Sequence, residues 1–181
     1  MMQKIIEGEK VRIRLITLDD TKLIVKWRNT ASVKNNFIFR EEFTEEIHVN
    51  WMNTKVATGE VVQYIIEEKK TNMAIGSVYL RNIDLKHNSG EYGIFIGEEE
   101  ARGKGYGTEA AKLFVASMFE KLQLHRIFLR VLSENDVAYR SYERAGFIKE
   151  GVARDMVRIN GIYKDVIFMS IINQKEAVEN E

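Results

Sequence analysis

The chain has 181 residues, 45% hydrophobic and 30% charged, and its 27 lysines and arginines equal its 27 acidic residues. A chain of this size and composition forms one domain with a sizeable core, and its neutral net charge argues against general binding to nucleic acid. Because there is no cysteine, disulfides, thiol catalysis and cysteine-ligated metals are excluded.

Three further observations concern location and metal content. No apolar run approaches the ~20 residues that a membrane helix needs, so no membrane partner is expected. The first residues are too short and polar a stretch for a secretory signal, and the lack of cysteine is compatible with a cytoplasmic protein. His48, His87 and His125 are scattered without metal-ligand spacing, so no metal site is predicted.

The first half of the chain predicts strands around two helices. Val11–Leu15 alternates as a half-buried strand does. A helix follows Asp20, a second begins at a Thr44 cap, and 30–43 has no clear period. Residues 61–67 and 73–80 then read as a hairpin joined by a polar turn.

The second half continues with a strand at 91–97, a helix from about 106 to 122, and a strand at 127–131. Residues 134–145 predict a helix that Gly146 ends, and Asn160-Gly161 predicts a type I′ turn before a last strand. This order favours an α/β or α+β fold, a mixed sheet with helices on both faces. We expect a single domain over 1–173 and a polar tail over 174–181.

The most informative stretch is Arg102–Thr108, where three glycines and two cations lie between the strand at 91–97 and a helix. Glycine lets backbone N–H groups approach a ligand closely, and a helix N-terminus favours negative charge. The stretch therefore predicts a phosphate site. It is neither a Walker A loop nor a dinucleotide fingerprint, because the spacing is Gly-x-Gly-x-Gly.

A second motif covers Ser133–Phe147, a short helix entered through small polar residues and left through Gly-Phe. Taken alone, it is explained by Ser133 or Asn135 as an N-cap and Tyr142 as a half-buried aromatic residue. Read with Arg102-x-x-Gly-x-Gly some thirty residues earlier, it resembles the GCN5-related N-acetyltransferase (GNAT) superfamily. His125-Arg126 and Gly161-x-Tyr163 are similar to its RimJ/RimL branch.

The resemblance covers nearly the whole chain and implies a mixed, mostly antiparallel central sheet flanked by helices on both faces. It implies acetyl-CoA as a co-substrate, no metal, and a primary amine acceptor on a small molecule or a protein N-terminus. It is compatible with a homodimer. The implied enzyme is an acetyl-CoA-dependent N-acetyltransferase without a covalent intermediate.

The resemblance also assigns roles to residues. Tyr142 matches the general acid, Asn135 a pantetheine-binding position, and Phe95 and Ile96 the strand end that pairs with pantetheine. The pyrophosphate-binding positions are Arg102, Gly103, Lys104, Gly105, Tyr106, Gly107 and Thr108. Glu91, at the head of its strand, is the candidate base that takes the amine proton, with a solvated strand-end carboxylate as the alternative.

The acceptor is left open. Trp27-Arg28-Asn29 and His48-x-x-Trp51 resemble enzymes that acetylate nucleotide-linked amino sugars, with Arg28 and Lys34 available to meet an anion. Acidic pairs at 41–42 and 45–46 instead suit a polyamine or the N-terminus of a basic ribosomal protein, or are simply a solvated face. The rival classes are a non-catalytic acyl-CoA sensor and a nucleotide-binding domain of other chemistry.

Overall fold

The computed structural model describes residues 2–38 and 40–174, and its central feature is a sheet of eight strands. The strands are β1 (Ile5–Glu7), β2 (Val11–Leu15), β3 (Val62–Glu68), β4 (Met73–Asp84), β5 (Ser89–Ile96), β6 (Arg126–Leu132), β7 (Ile148–Ile159) and β8 (Ile162–Ile172). The helices are α1 (Thr21–Asn29), α2 (Ala31–Lys34), α3 (Glu45–Trp51), α4 (Tyr106–Leu122) and α5 (Asp136–Ala145). Short 3₁₀ turns precede α1 and α4, and a π-helical turn extends α3.

The strands lie in the order β1-β2-β3-β4-β5-β6-β8-β7. Neighbours are antiparallel, except that β5 and β6 run parallel. A parallel pair requires a crossover connection, and α4 supplies it. The mixed, mostly antiparallel sheet is thus confirmed.

Each face of the sheet buries its own apolar cluster, as the period-2 alternation of strands requires. On one face Phe114 and Met118 of α4 pack against strand residues that include Tyr64 and Leu80. On the other face Trp27 of α1 packs with partners that include Ile65 and Phe95. Helices therefore cover both faces, as expected.

Several local predictions are confirmed. The helix at 106–122 has the expected bounds. Gly146 adopts a left-handed conformation as the C-cap of α5, and the hydroxyl of Thr44 accepts from the Ile47 amide at 3.2 Å. Asn160 and Gly161 have φ values of 50° and 83°, as a type I′ turn requires.

The differences are small. β1 was not predicted, because three residues are too few to show alternation. The region without a clear period contains the one-turn helix α2. Of the predicted polar tail, 175–181 lie outside the described residues. Among the described helices, none combines the length and apolar character needed to cross a membrane.

Candidate functional site

The site is a cleft created where β5 and β6 separate. The two strands are paired only from Ser89 to Glu91 on β5, and beyond that point they diverge towards the N-termini of α4 and α5. The resulting cleft has a volume of about 1300 Å³. With the exception of Lys104, every predicted site residue lines it: Glu91, Phe95, Ile96, Arg102, Gly103, Gly105, Tyr106, Gly107, Thr108, Asn135 and Tyr142.

At one end of the cleft the N-terminus of α4 forms a cradle of backbone N–H groups. Gly103 and Gly105 have φ values of 73° and 83°, a left-handed region that glycine adopts without steric cost. The first helical bond runs from the Glu109 amide to the Gly105 carbonyl at 3.1 Å. Within the described part of the chain, no hydrogen bond uses the amides of 103–108. These free donors at a helix N-terminus suit a phosphate anion.

The side chains of this loop act differently from the sequence-based expectation of cation-to-phosphate contacts. The Arg102 guanidinium donates to the Ile96 carbonyl at 2.9 Å and to the Ser32 hydroxyl at 3.0 Å, so it joins the end of β5 to α2. Lys104 is exposed and does not line the cleft. The Tyr106 hydroxyl hydrogen-bonds to Glu68. What these three residues offer to an anion is therefore their backbone amides.

Arg144 is a cation that the sequence reasoning did not place in the site. It is exposed on α5 and lines the cleft near Gly105 and Thr108. The Thr108 hydroxyl lies 3.1 Å from that of Ser141, which links the first turn of α4 to α5. The sequence shows Arg144 within the motif at 133–147, but whether it approaches the 103–108 loop depends on how α4 and α5 pack.

The exposed edge of β5 offers backbone groups to an extended ligand. The Gly97 amide donates to Ile75 of β4 at 2.8 Å, and ladder alternation then directs the backbone of Phe95 towards β4 as well. The backbone groups of Ile94 and Ile96 face the gap, where Arg102 already occupies the Ile96 carbonyl. Of the strand end expected to contact pantetheine, the backbone of Phe95 is thus paired with β4, and the free backbone groups at this edge belong to Ile94.

The side chain of Phe95 also belongs to the packed core. Its ring packs edge-on against Trp27 and Phe37, with centroid distances of 6.1 and 5.8 Å. Phe95 is thus a core residue beneath the cleft floor. Strand parity could have been counted from the sequence, but the pairing partner that sets it could not.

Asn135 combines a capping role with access to the cleft. Its Oδ1 accepts from the Ala138 amide at 3.2 Å and so caps α5. Its Nδ2 makes no hydrogen bond within the described residues, and the residue lines the cleft. The amide nitrogen is therefore available as a donor to a ligand carbonyl, so the two interpretations of Asn135 are compatible.

Tyr142 is part of the cleft wall. Its ring packs edge-on against Tyr92 and Phe147, with centroids 6.1 and 5.9 Å away. Its hydroxyl makes no hydrogen bond to any residue that the structure describes. Burial raises the pKa of Tyr142, and the nearby Tyr79 hydroxyl raises it further. The Tyr142 hydroxyl is therefore protonated and available to donate a hydrogen bond to a ligand.

Glu91 is held by a network of cations rather than left free. Its Oε1 accepts from Arg81 at 3.0 Å and from Arg130 at 2.9 Å, and its Oε2 accepts from Asn82 at 2.8 Å. The carboxylate is 4% exposed. Burial by itself raises the pKa of Glu91, but Arg81 and Arg130 outweigh it and hold the pKa below its ordinary value. Such a carboxylate is a weak base.

Tyr79 is another cleft residue that the sequence did not single out. Its ring lies over Gly93 of β5, where a Cβ atom would come within 2.3 Å of the Tyr79 Cζ atom. Gly93 therefore provides the space in which the ring lies. The Tyr79 hydroxyl makes no hydrogen bond within the described residues and lies beside Arg81 on the same strand face.

The His48-x-x-Trp51 spacing, which resembles enzymes acting on nucleotide-linked amino sugars, does not place either side chain in the cleft. His48 is 1% exposed, and its Nδ1 lies 2.9 Å from the Thr21 hydroxyl. Trp51 donates to Gln63 at 3.1 Å in the same layer. Neither residue lines the cleft, so the His48-x-x-Trp51 spacing reflects packing of α3 on α1 and β3.

A family model described as the acetyltransferase (GNAT) domain matches residues 10–148. The chain belongs to the GNAT acetyltransferase family. The phosphate cradle at α4, the separation of β5 and β6 and the helix carrying Tyr142 are thereby parts of a GNAT fold, and the chain is an N-acetyltransferase. CoA binding is typical of this family.

The relatives differ in what they are named for. A spermidine N(1)-acetyltransferase from Vibrio cholerae is 29% identical over 93% of this chain and 96% of its own length. A putative ribosomal N-acetyltransferase, YdaF, from Bacillus subtilis is 32% identical over 55% of this chain and 54% of its own. Both kinds are consistent with a RimJ/RimL-like branch.

Solved structures repeat this division. Spermidine N-acetyltransferase from Vibrio cholerae, in complex with CoA and spermine, superposes with a TM-score of 0.86 at 26% identity, covering 94% of this chain and 99% of that one. Ribosomal-protein-S5-alanine acetyltransferase from Vibrio fischeri gives 0.83 at 26% identity, covering 96% and 98%. The fold therefore does not separate the two acceptor classes.

Proposed function

We propose that this enzyme transfers the acetyl group of acetyl-CoA directly to a primary amine in the cleft between β5 and β6. The observation that carries the proposal is the free Tyr142 hydroxyl, in the same cleft as the amide cradle of α4 and the Glu91 network. The cradle at 103–108 would bind the pyrophosphate. Ile94 and Asn135 would hydrogen-bond the pantetheine arm.

The chemistry requires one proton donor to the leaving sulfur. The amine nitrogen attacks the thioester carbonyl, a C–N bond forms, the C–S bond breaks, and the amine proton finally resides on the thiol. A thiol has a pKa of roughly 8.5 and a phenol roughly 10, so Tyr142 stabilises the departing thiolate by donating a hydrogen bond. The Ile94 N–H would donate to the oxyanion.

The amine must be neutral when it attacks. An alkyl ammonium has a pKa of roughly 10.4, and nearby guanidinium groups lower it because a like charge disfavours the cation. Arg81 and Arg130 line the cleft beside Glu91, so the site itself would favour the neutral amine. Glu91 then serves to position these arginines, and its role as base becomes unnecessary.

Glu91→Gln tests this assignment. Removing one partner of a buried ion pair costs about 3–5 kcal/mol, and partial exposure of both arginines reduces the expected loss of stability to about 2–3 kcal/mol. Because the folded-state pKa is depressed, this contribution is complete above the unfolded pKa near 4.5 and disappears as pH falls through the folded value. Urea unfolding from pH 7 to pH 3 measures it.

The activity of Glu91→Gln shows whether Glu91 is an anchor that positions the two arginines or a general base for the amine. An anchor predicts a raised KM for the amine and a pH profile of kcat that keeps its acid limb, shifted to lower pH because the site loses a negative charge. A general base predicts that the limb disappears and that kcat falls by roughly 10²–10⁴, which would restore Glu91 as the base.

The function itself is tested by free thiol release when acetyl-CoA meets a panel of amines. The panel contains spermidine, because the relatives named above include spermidine acetyltransferases, together with amino sugars, amino acids and N-terminal peptides. Transfer to at least one amine supports the proposal. Tight CoA binding without transfer to any amine would instead support the acyl-CoA sensor.

A further inference from the structure

The part of the cleft around Glu91 carries an excess of positive charge. Arg81 and Arg130 both bind the carboxylate of Glu91, so two guanidinium groups share one negative charge. The Nε of Arg81 is buried and has no hydrogen-bond partner. The Tyr79 hydroxyl, also unpartnered within the described residues, lies on the same face and adds a neutral donor.

Arg28 is a third cation near this cluster, although it does not itself line the cleft. Its guanidinium carbon lies 3.6 Å from the ring centroid of Phe37 and 5.1 Å from that of Phe43. Phe37 lines the cleft. The Nε of Arg28 is buried without a partner, and the guanidinium forms no ion pair with any described residue.

The electrostatic environment of Arg28 links it to the cleft. Burial lowers the pKa of Arg28, the Tyr79 hydroxyl opposes this change, and the charge of Arg81 lowers the pKa again. The two arginines are thus close enough to repel each other. Burying a cation without an anion is costly, and a ligand that supplies the anion would relieve both the desolvation and the repulsion.

From this cluster we infer that the acceptor amine carries an anionic group, a phosphate or a carboxylate, which binds to Arg28 and Arg81 with the Tyr79 hydroxyl as an additional donor. The inference rests on the proposed function and names the chemical class of its acceptor. A guanidinium fork matches the paired oxygens of both anions. The amine, at the other end of such a molecule, would point towards Tyr142, and Arg130, which does not bind the anion, would then be the guanidinium that favours its neutral form.

A polycation fits this surface less well. The acidic residues that suggested a polyamine, at 41–42 and 45–46, are exposed and do not line the cleft. Three carboxylates of the described residues line the cleft: Glu134 and Asp136 lie at the N-terminus of α5, and Glu91 is already neutralised by Arg81 and Arg130. The Vibrio cholerae enzyme whose structure contains spermine shares the fold but is only 26% identical, so its acceptor does not determine this one.

The test compares matched acceptors that differ only in the anion. Calorimetry would measure binding of glucosamine 6-phosphate against glucosamine, and of glycylglycine against glycylglycine amide, to enzyme saturated with CoA so that the α4 cradle is occupied. We expect at least one anionic member to bind at least tenfold more tightly than its neutral partner. The pair that responds identifies phosphate or carboxylate as the anion.

Arg28→Met should lower this anionic preference about tenfold and leave CoA affinity unchanged, and Arg28→Lys should retain part of it. Because the readout is a ratio between two acceptors, a merely structural role of Arg28 would not move it. Tighter binding of spermidine than of every anionic acceptor, or equal binding within both pairs, would overturn the inference. Absence of transfer to any amine would contradict the proposed function instead, since these binding ratios do not require transfer.

Discussion

Tyr142→Phe should lower the turnover number of acetyl transfer about 100-fold while the affinity for acetyl-CoA stays nearly unchanged. The ring packs against Tyr92 and Phe147, and phenylalanine preserves these contacts. Only the hydroxyl is lost, and it has no hydrogen bond within the described residues. The variant should therefore fold normally and fail at expulsion of the thiolate.

Steady-state kinetics and calorimetric titration with acetyl-CoA measure the two quantities. Tyr139→Phe is the matched control, because it makes the same chemical change on the same helix at a residue outside the cleft lining. The Tyr139→Phe variant should keep the turnover number of the wild type. Equal turnover of the Tyr142 variant and the wild type would remove this hydroxyl from the mechanism.

Gly105→Val should weaken CoA binding about 100-fold or more. The residue has a φ of 83° and caps α4, so a β-branched side chain is strained there. The loop would shift to relieve the strain and the amides of 103–108 would no longer converge. Losing two hydrogen bonds to a charged group, each worth about 1.5–3 kcal/mol, accounts for a change of this size.

Gly59→Val controls for strain alone. Gly59 has a φ of 79°, and no atom lies within 4 Å of where its Cβ would be, as at Gly105. It is exposed in the turn before β3 and does not line the cleft. Calorimetry should show wild-type CoA affinity for this control. Retained affinity in the Gly105 variant would refute the cradle.

The sequence reveals those parts of the site that depend on neighbours in the chain. Arg102–Thr108 and Asn135–Tyr142 are short motifs whose turns and caps follow from local chemistry, and the structure places them in one cleft. The central sheet and the long α4 helix are predictable for the same reason, since alternation and helical periodicity are local signals.

The rest depends on long-range pairing. The pairing of Arg81 with Glu91 follows from the register between β4 and β5, and Arg130 approaches only because β6 lies parallel to β5. The pairing of the Phe95 backbone with β4 also depends on this register. A sequence shows that a strand alternates, but the hydrogen-bonded partner decides which backbone groups remain free.

The hydrogen bonds of Arg102 connect the proposed acetyl-CoA site to the proposed amine site. One guanidinium binds the Ile96 carbonyl at the end of β5 and the Ser32 hydroxyl on α2, and Phe37, which follows α2, lines the cleft. A substitution at Arg102 therefore changes the Michaelis constants of both substrates together. Kinetic defects at this residue report on the communication between two substrates rather than on cofactor affinity alone.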